Sequence, residues 1–94
     1  MAKNNEMNTL LSREFIKIFK RKISAQFGNH ILRSRKIMYQ EFRKFCGRSF
    51  GFRKYETNEI LDTLRRHKII ELSSSGFVVR NKTFFDLKQN NINL

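Results

Sequence analysis

Residues 57–80 join a helical pattern to a hairpin pattern with almost no linker between them, which is an uncommon order. The first part, TNEILDTLRRHK, places Ile60, Leu61 and Leu64 at helical spacing and so predicts one apolar face. The basic run RRHK follows, and cations favour the last turn of a helix. The sequence therefore predicts an amphipathic helix over residues 57–66.

Two short, largely apolar segments follow that helix, IIEL at 69–72 and FVVR at 77–80. Their β-branched and aromatic residues predict two strands. The tip SSSG separates them, and Gly76 can supply the positive φ that a tight hairpin needs. The helix is thus expected to lead directly into a two-stranded hairpin.

The first half of the chain predicts a long helix, a short strand and a brief helix. The long helix runs from an N-cap at Asn8 or Thr9 to about Phe27, and Gly28 with Asn29 ends it. A strand is expected at 36–38 and a helix from 39 or 40 to 46, ended by Gly47. Residues 48–55, RSFGFRKY, are expected to form a basic loop.

This order of helix, short strand, helix, helix and hairpin resembles the winged helix-turn-helix family over about residues 10–82. The residues that carry the resemblance are KIMYQEFRKFCG at 36–47 and TNEILDTLRRHKIIELSSSGFVVR at 57–80. The first resembles a strand and supporting helix, and the second a recognition helix and wing. Lys68 stands where the family commonly has Gly.

The resemblance implies an α+β, mainly α fold, a three-helix bundle with a C-terminal β-hairpin wing. We expect one winged-helix domain at 9–87, a disordered N-terminus at 1–8 and a flexible tail at 88–94.

The charge of the chain favours a polyanionic partner. Net charge is +12, and residues 13–54 hold thirteen Lys or Arg against two acidic residues. DNA, RNA or an anionic membrane surface would suit such a chain. A membrane is not expected, because the apolar face of the first helix is needed for the core and no apolar run approaches ~20 residues. A single Cys excludes an internal disulfide and favours an intracellular protein. With DNA as the partner, the expected location is cytoplasmic and nucleoid-associated.

The predicted recognition helix turns Asn58, Glu59, Asp62 and Arg66 away from its apolar face. Asn can bind adenine through two hydrogen bonds and Glu or Asp can accept from cytosine, although such residues can also simply solvate a helix. The full set of candidate nucleic-acid-binding residues is Arg48, Ser49, Arg53, Lys54, Asn58, Glu59, Arg66, Ser74, Arg80 and Lys82. Further candidates for phosphate contacts are Arg13, Lys17, Lys20, Arg21, Arg35 and Lys36.

Phe50 and Phe52 alternate with cations in the predicted loop. They could stack on unpaired bases, or they could anchor the loop to the core, and the second interpretation is favoured.

We expect double-stranded DNA as the partner and a sequence-specific transcriptional regulator as the function, with the helix at 57–66 in the major groove. The alternatives are an RNA-binding or ribosome-associated winged helix, and a protein–protein interaction module of a nucleic-acid machine. No enzyme, metal site or cofactor is expected. His30, His67 and Cys46 are too few and too scattered for zinc, and neither a nucleophile–base pair nor a glycine-rich phosphate loop is present.

The first helix is apolar over more than half its circumference, which is more than one small core needs. We therefore expect a homodimer that uses Ile16, Phe19, Ile23, Phe84 and Phe85. The alternative is that the C-terminal segment folds back over the first helix of its own chain.

Overall fold

The computed structural model describes residues 12–85. The expected caps Asn8 and Thr9, the disordered segment 1–8 and the tail 88–94 lie outside that range. The elements are α1 (Arg13–Leu32), β1 (Ile37–Met38), α2 (Tyr39–Phe50), α3 (Lys54–Arg66), β2 (Ile70–Leu72), β3 (Gly76–Val79) and a 3₁₀ helix (Lys82–Phe85). The prediction of a mainly helical α+β fold is confirmed.

The strands form one antiparallel sheet in the order β1-β3-β2. Phe77 at its centre lies opposite Ile37 on one side and Leu72 on the other, and Val79 pairs with Ile70. Ile37, Phe77, Ile70 and Val79 are all buried, so this register presents one apolar face to the helices. The expected strand at 36–38 therefore becomes the third strand of the hairpin's sheet.

Gly76 serves the hairpin in a different way from the one its sequence predicts. It lies in β3, and the only glycine with positive φ in residues 12–85 is Gly51. A Cβ at Gly76 would approach the Ile37 carbonyl oxygen to 2.4 Å and Lys36 Cγ to 2.9 Å. The glycine is needed because β1 and β3 come close together here, and the expected positive φ at Gly76 is wrong.

The core is built from one face of every helix together with the inner face of the sheet. Phe27 contacts Phe45 edge to face at 5.3 Å between ring centroids, and Phe42 contacts Phe77 at 5.1 Å. The buried residues of the helices are Phe19, Ile23, Phe27 and Ile31 of α1, Phe42, Phe45 and Cys46 of α2, and Thr57, Ile60, Leu61, Thr63 and Leu64 of α3. The predicted apolar face of α3 is thus confirmed.

The first helix begins and ends later than expected. Ser12 is extended and accepts a hydrogen bond from the Phe15 amide at 3.1 Å, so it is the N-cap. A kink at Phe27 interrupts the helix, but Gly28 and Asn29 lie inside it and it continues to Leu32. The regular helix is thus interrupted at Phe27, where it was expected to end, but a further helical segment carries α1 to Leu32.

The second helix also continues past the glycine expected to end it. Gly47 lies inside α2, which runs to Phe50, and Gly51 with φ 68° ends the helix. Its amide donates to the Gly47 carbonyl at 3.0 Å, the αL type of helix end. The predicted loop at 48–55 is therefore wrong, because only residues 51–53 separate α2 from α3.

The aromatic residues near that short connection serve the core. Phe15 of α1 lies 5.3 Å from Phe50 and 5.8 Å from Phe52 between ring centroids, and both rings are half-buried against the core. This arrangement favours the interpretation of Phe50 and Phe52 as anchors.

The 3₁₀ helix packs back on α1. Ser24 Oγ donates to the Phe85 carbonyl at 3.2 Å, and the Phe85 side chain is buried beside Phe19. Phe19, Ile23 and Phe85 are thus part of the core of their own chain and are unavailable to a second subunit. Their assignment to a dimer interface is wrong, whereas Ile16 and Phe84 remain half-buried.

Candidate nucleic-acid interface

The outer face of α3 forms one wall of a shallow groove between α2, α3 and β2. Asn58 and Glu59 are exposed because Thr57, Ile60 and Leu61 face inward on the same turns. The groove measures about 280 Å³, and its walls are Tyr39, Arg43, Asn58, Leu61, Asp62 and Leu72. A second depression of about 230 Å³ continues along the helix past Asn58, Glu59, Asp62 and Arg66. Three of the predicted base-contacting residues, Asn58, Glu59 and Arg66, therefore share one continuous surface.

Two of the three acidic residues on α3, Asp62 and Glu56, have partners on the helix or directly before it. Asp62 accepts a hydrogen bond from Arg65 at 2.6 Å and pairs with Arg66 Nε at 3.1 Å. The hydrogen bond from Arg65 and the charges of both guanidinium groups lower the pKa of Asp62. Glu56 accepts from the Arg53 amide at 2.7 Å and so closes the first turn. Glu59 remains as an exposed carboxylate at the centre of the surface.

The start of α3 brings two predicted phosphate contacts together. Arg53 is the extended residue before the helix, Lys54 is its first residue, and both side chains are exposed. Amide groups at a helix N-terminus also favour an anion. Arg48 and Ser49 belong to the last turn of α2, where Arg48 is exposed and Ser49 is half-buried.

The hairpin tip is hydrogen-bonded to the first residue of α2. Tyr39 donates from its hydroxyl to the Ser73 carbonyl at 2.6 Å and from its amide to the Ser75 carbonyl at 3.1 Å. Lys36 Nζ donates to Ser75 Oγ at 3.2 Å. The ammonium group of Lys36 thus lies beside the uncharged hairpin tip, where Ser74 is exposed.

Two cations predicted to bind nucleic acid after the hairpin already have partners. Arg80 pairs across the strands with Glu71 at 2.7 Å, at an exposed position. Lys82 Nζ donates to the Leu32 carbonyl at 2.9 Å, where it satisfies the C-terminus of α1. The ammonium group of Lys82 has two further N–H donors, so its contact with phosphate stays a prediction.

The cations of α1 divide into two groups. Arg13, Lys17 and Arg21 are exposed, as expected for a polar face. Lys20 instead lies over the Phe84 ring, with Nζ 4.6 Å from the centroid, and is half-buried. Lys20 is thus less accessible than the other three cations of α1 that were named as candidates, and its contact with phosphate stays a prediction. Arg35, beyond the end of α1, is exposed.

Tyr39 and Arg43 of this surface, and Tyr55 on the same helix as Asn58, were not singled out from the sequence. Tyr39 and Arg43 lie one turn apart on α2 and line the groove beside Asn58. Arg43 Nε is buried and has no hydrogen-bond partner within residues 12–85. Tyr55, on the first turn of α3, is 59% exposed. The i, i+4 spacing of Tyr39 and Arg43 was the available signal, but it matters only once α2 is known to flank α3.

Within residues 12–85 no three His, Cys, Asp or Glu side chains lie together as metal ligands would. No helix in the same range has both the length and the apolar character needed to cross a membrane. Comparison of the chain with protein-family models, with curated proteins and with solved structures finds no match.

Proposed function

We propose that this chain is a small winged-helix DNA-binding protein, a sequence-specific regulator of transcription that inserts α3 into the major groove. The observation that carries the proposal is the division of α3 into two faces directly before a hairpin. Its inner face is held by the core, and its outer face displays Asn58, Glu59 and Arg66. An exposed helix face with amide, carboxylate and guanidinium groups can contact base edges in a major groove.

The surrounding cations would supply affinity that does not depend on sequence. Arg53 and Lys54 flank the N-terminus of α3, while Lys36 and Ser74 lie at the hairpin tip. Phosphate contacts of this kind position a protein on a duplex, and the base contacts then provide specificity. A homodimer would need a surface other than Phe19, Ile23 and Phe85.

The test is duplex binding measured by fluorescence anisotropy as a function of salt, followed by selection from randomised DNA. Log K should fall linearly with log salt, by about 0.9 for each phosphate neutralised. The selection should return a recurrent motif, and structured RNA should compete poorly. A flat salt dependence, or no duplex binding at low salt, would refute the proposal.

One observation favours a second candidate, a protein–protein module within a nucleic-acid machine. Lys54, Arg65 and Arg66 on α3 are matched by the acidic residues Glu56, Glu59 and Asp62, and Tyr55 is strongly exposed. Aromatic residues are enriched at protein interfaces, and acidic groups are repelled by phosphate. Salt-sensitive binding without any selected motif, unaffected by changes on α3, would favour this candidate.

A further inference from the structure

Positive charge is distributed unevenly between α1 and α3. α1 carries five Lys or Arg residues against one acidic residue, Glu14, whereas the three cations of α3 are matched by three acidic residues. The ion pairs within residues 12–85 lie on α3 and the hairpin, so none of them neutralises a cation of α1. The charge that attracts a polyanion is therefore greater on α1 than on the helix proposed to contact bases.

α1 and α3 face each other across an apolar groove. Ile16 and Phe19 line this groove from α1, and Ile60 and Leu64 line it from α3. At about 3.6 residues per turn, Asn58 lies on the side of α3 that is turned away from the groove. Because the two helices meet through their groove sides, their outer sides point in opposite directions.

Arg13, Lys17 and Arg21 form a basic stripe on the outer side of α1. They are spaced four residues apart, so each lies about 6 Å further along the helix than the one before, and all three are exposed. Phosphates follow one another at about 3.4 Å along each strand of a DNA duplex, so a stripe of about 12 Å can face several of them. Long cationic side chains at this spacing suit phosphate contacts that do not depend on sequence.

A straight duplex held by α3 cannot also reach the basic stripe. The axes of packed helices lie about 8–10 Å apart and each helix is about 10 Å wide, so the outer sides of α1 and α3 are about 20 Å apart. We propose that the basic stripe binds the phosphate backbone of a second duplex, so that one molecule bridges two duplexes. This inference rests on the proposed function, because α3 must hold the first duplex.

Capture of a second duplex by the full chain tests the proposal. An immobilised duplex that carries the selected motif is loaded with protein, washed and then offered a fluorescent duplex of random sequence. The loaded protein should capture the second duplex, and capture should weaken as salt rises, because the stripe contacts only phosphates.

Charge reversal at Lys17 should remove most of that capture. Per molecule of loaded protein, Lys17→Glu should lower the amount of captured duplex severalfold and make its salt slope shallower by about one. Lys22→Glu is the matched control, because it makes the same charge change at an exposed position about 140° round α1 from Lys17. The control should keep most of the capture, and equal losses from the two variants would overturn the proposal.

The remaining outcomes separate this inference from the proposed function. Loading on the first duplex without capture of a second would overturn the bridging inference alone, whereas failure to load would refute the proposed function and the inference with it. Capture that persists in Lys17→Glu would come from two copies of α3 in a dimer. Displacement of the second duplex by an equal amount of structured RNA would assign the stripe to RNA. Either of these last two results overturns the proposal.

Discussion

At the scale of single residues, α1, α2 and α3 each end at a residue with positive φ. These residues are Ser34 at 55°, Gly51 at 68° and Lys68 at 61°. After α3, the Lys68 amide donates to the Arg65 carbonyl and the Ile69 amide to the Leu64 carbonyl, both at 2.9 Å. This pair of bonds is the Schellman motif, and buried Ile69 meets Leu64 as its apolar contact. A side chain at such a φ costs about 1–2 kcal/mol, which the motif and the burial offset.

Replacement of Lys68 by glycine should therefore stabilise the protein. The gain in the free energy of unfolding should be about 0.5–1 kcal/mol, since relief of the left-handed strain exceeds the added entropy of the unfolded chain. Urea denaturation of Lys68→Gly measures it. Lys68→Ala removes the same charge but keeps a Cβ, so it should bring no gain, and equal gains in both variants would contradict the backbone explanation.

Cys46 should act as a buried neutral thiol. Burial raises its pKa from 9.0 to about 12, against a smaller lowering by its hydrogen bond with Thr57. Above pH 9 the unfolded thiol loses its proton while the folded one keeps it, so this residue's contribution to stability falls as pH rises from about 9 to 12. The free energy of unfolding of the parent should decline more steeply over that window than that of Cys46→Ala. Parallel pH profiles would show that the folded thiol is not shifted.

We expect Asn58 to contribute to sequence specificity and Lys54 to contribute affinity for any duplex. Asn58→Ala should cost about 1–3 kcal/mol on the selected duplex and leave random DNA nearly unchanged, because an exposed amide on α3 can bind a base edge. Lys54→Ala should weaken both duplexes alike and reduce the salt slope by about one. Anisotropy titrations on both duplexes measure this, and equal losses for Asn58→Ala on the two would exclude base contact.

At the scale of elements, β1 joins the hairpin by a very close backbone approach at Gly76. Gly76→Ala should destabilise the protein by about 1–3 kcal/mol, because its Cβ would meet the Ile37 carbonyl at 2.4 Å and neither backbone can move freely. Thermal melting is the measurement. Gly47→Ala is the matched control: its Cβ would find no atom closer than 3.9 Å, so inside α2 it should stabilise by up to about 1 kcal/mol. A melting temperature for Gly76→Ala at or above the parent value would contradict the close packing.

At the scale of the whole molecule, the C-terminal 3₁₀ helix closes the core over α1. Phe85 is 1% exposed, so Phe85→Ala should cost about 3–5 kcal/mol through lost burial and a cavity. Ile18→Ala removes a side chain that is 41% exposed and should cost much less. If both variants denature at the same urea concentration, the segment does not pack on α1 as described.

The packing of the 3₁₀ helix on α1 also affects the expected oligomeric state. Much of the apolar surface that suggested a dimer is covered within one chain, and the homodimer stays a prediction for light scattering to check. A mass of 11.4 kDa would refute it.

Periodicity in the sequence was enough to predict the apolar face of α3, both hairpin strands to within a residue, and the short strand that became β1. These features depend on which side chains alternate toward a core, and that pattern is local. The same pattern identified Asn58, Glu59 and Arg66 as an outer surface, since whatever lies opposite a buried stripe is exposed.

Helix ends and the partners of cations were decided by the tertiary structure. Glycine inside a helix costs only about 1 kcal/mol, whereas burial of a side chain such as Ile31 contributes about 1.5–3 kcal/mol. α1 therefore continues past Gly28 to bury Ile31, and α2 continues past Gly47 to place Phe50 against Phe15. Lys82 caps α1 from fifty residues away. No local pattern encodes a contact at that separation, because it exists only once the chain has closed on itself.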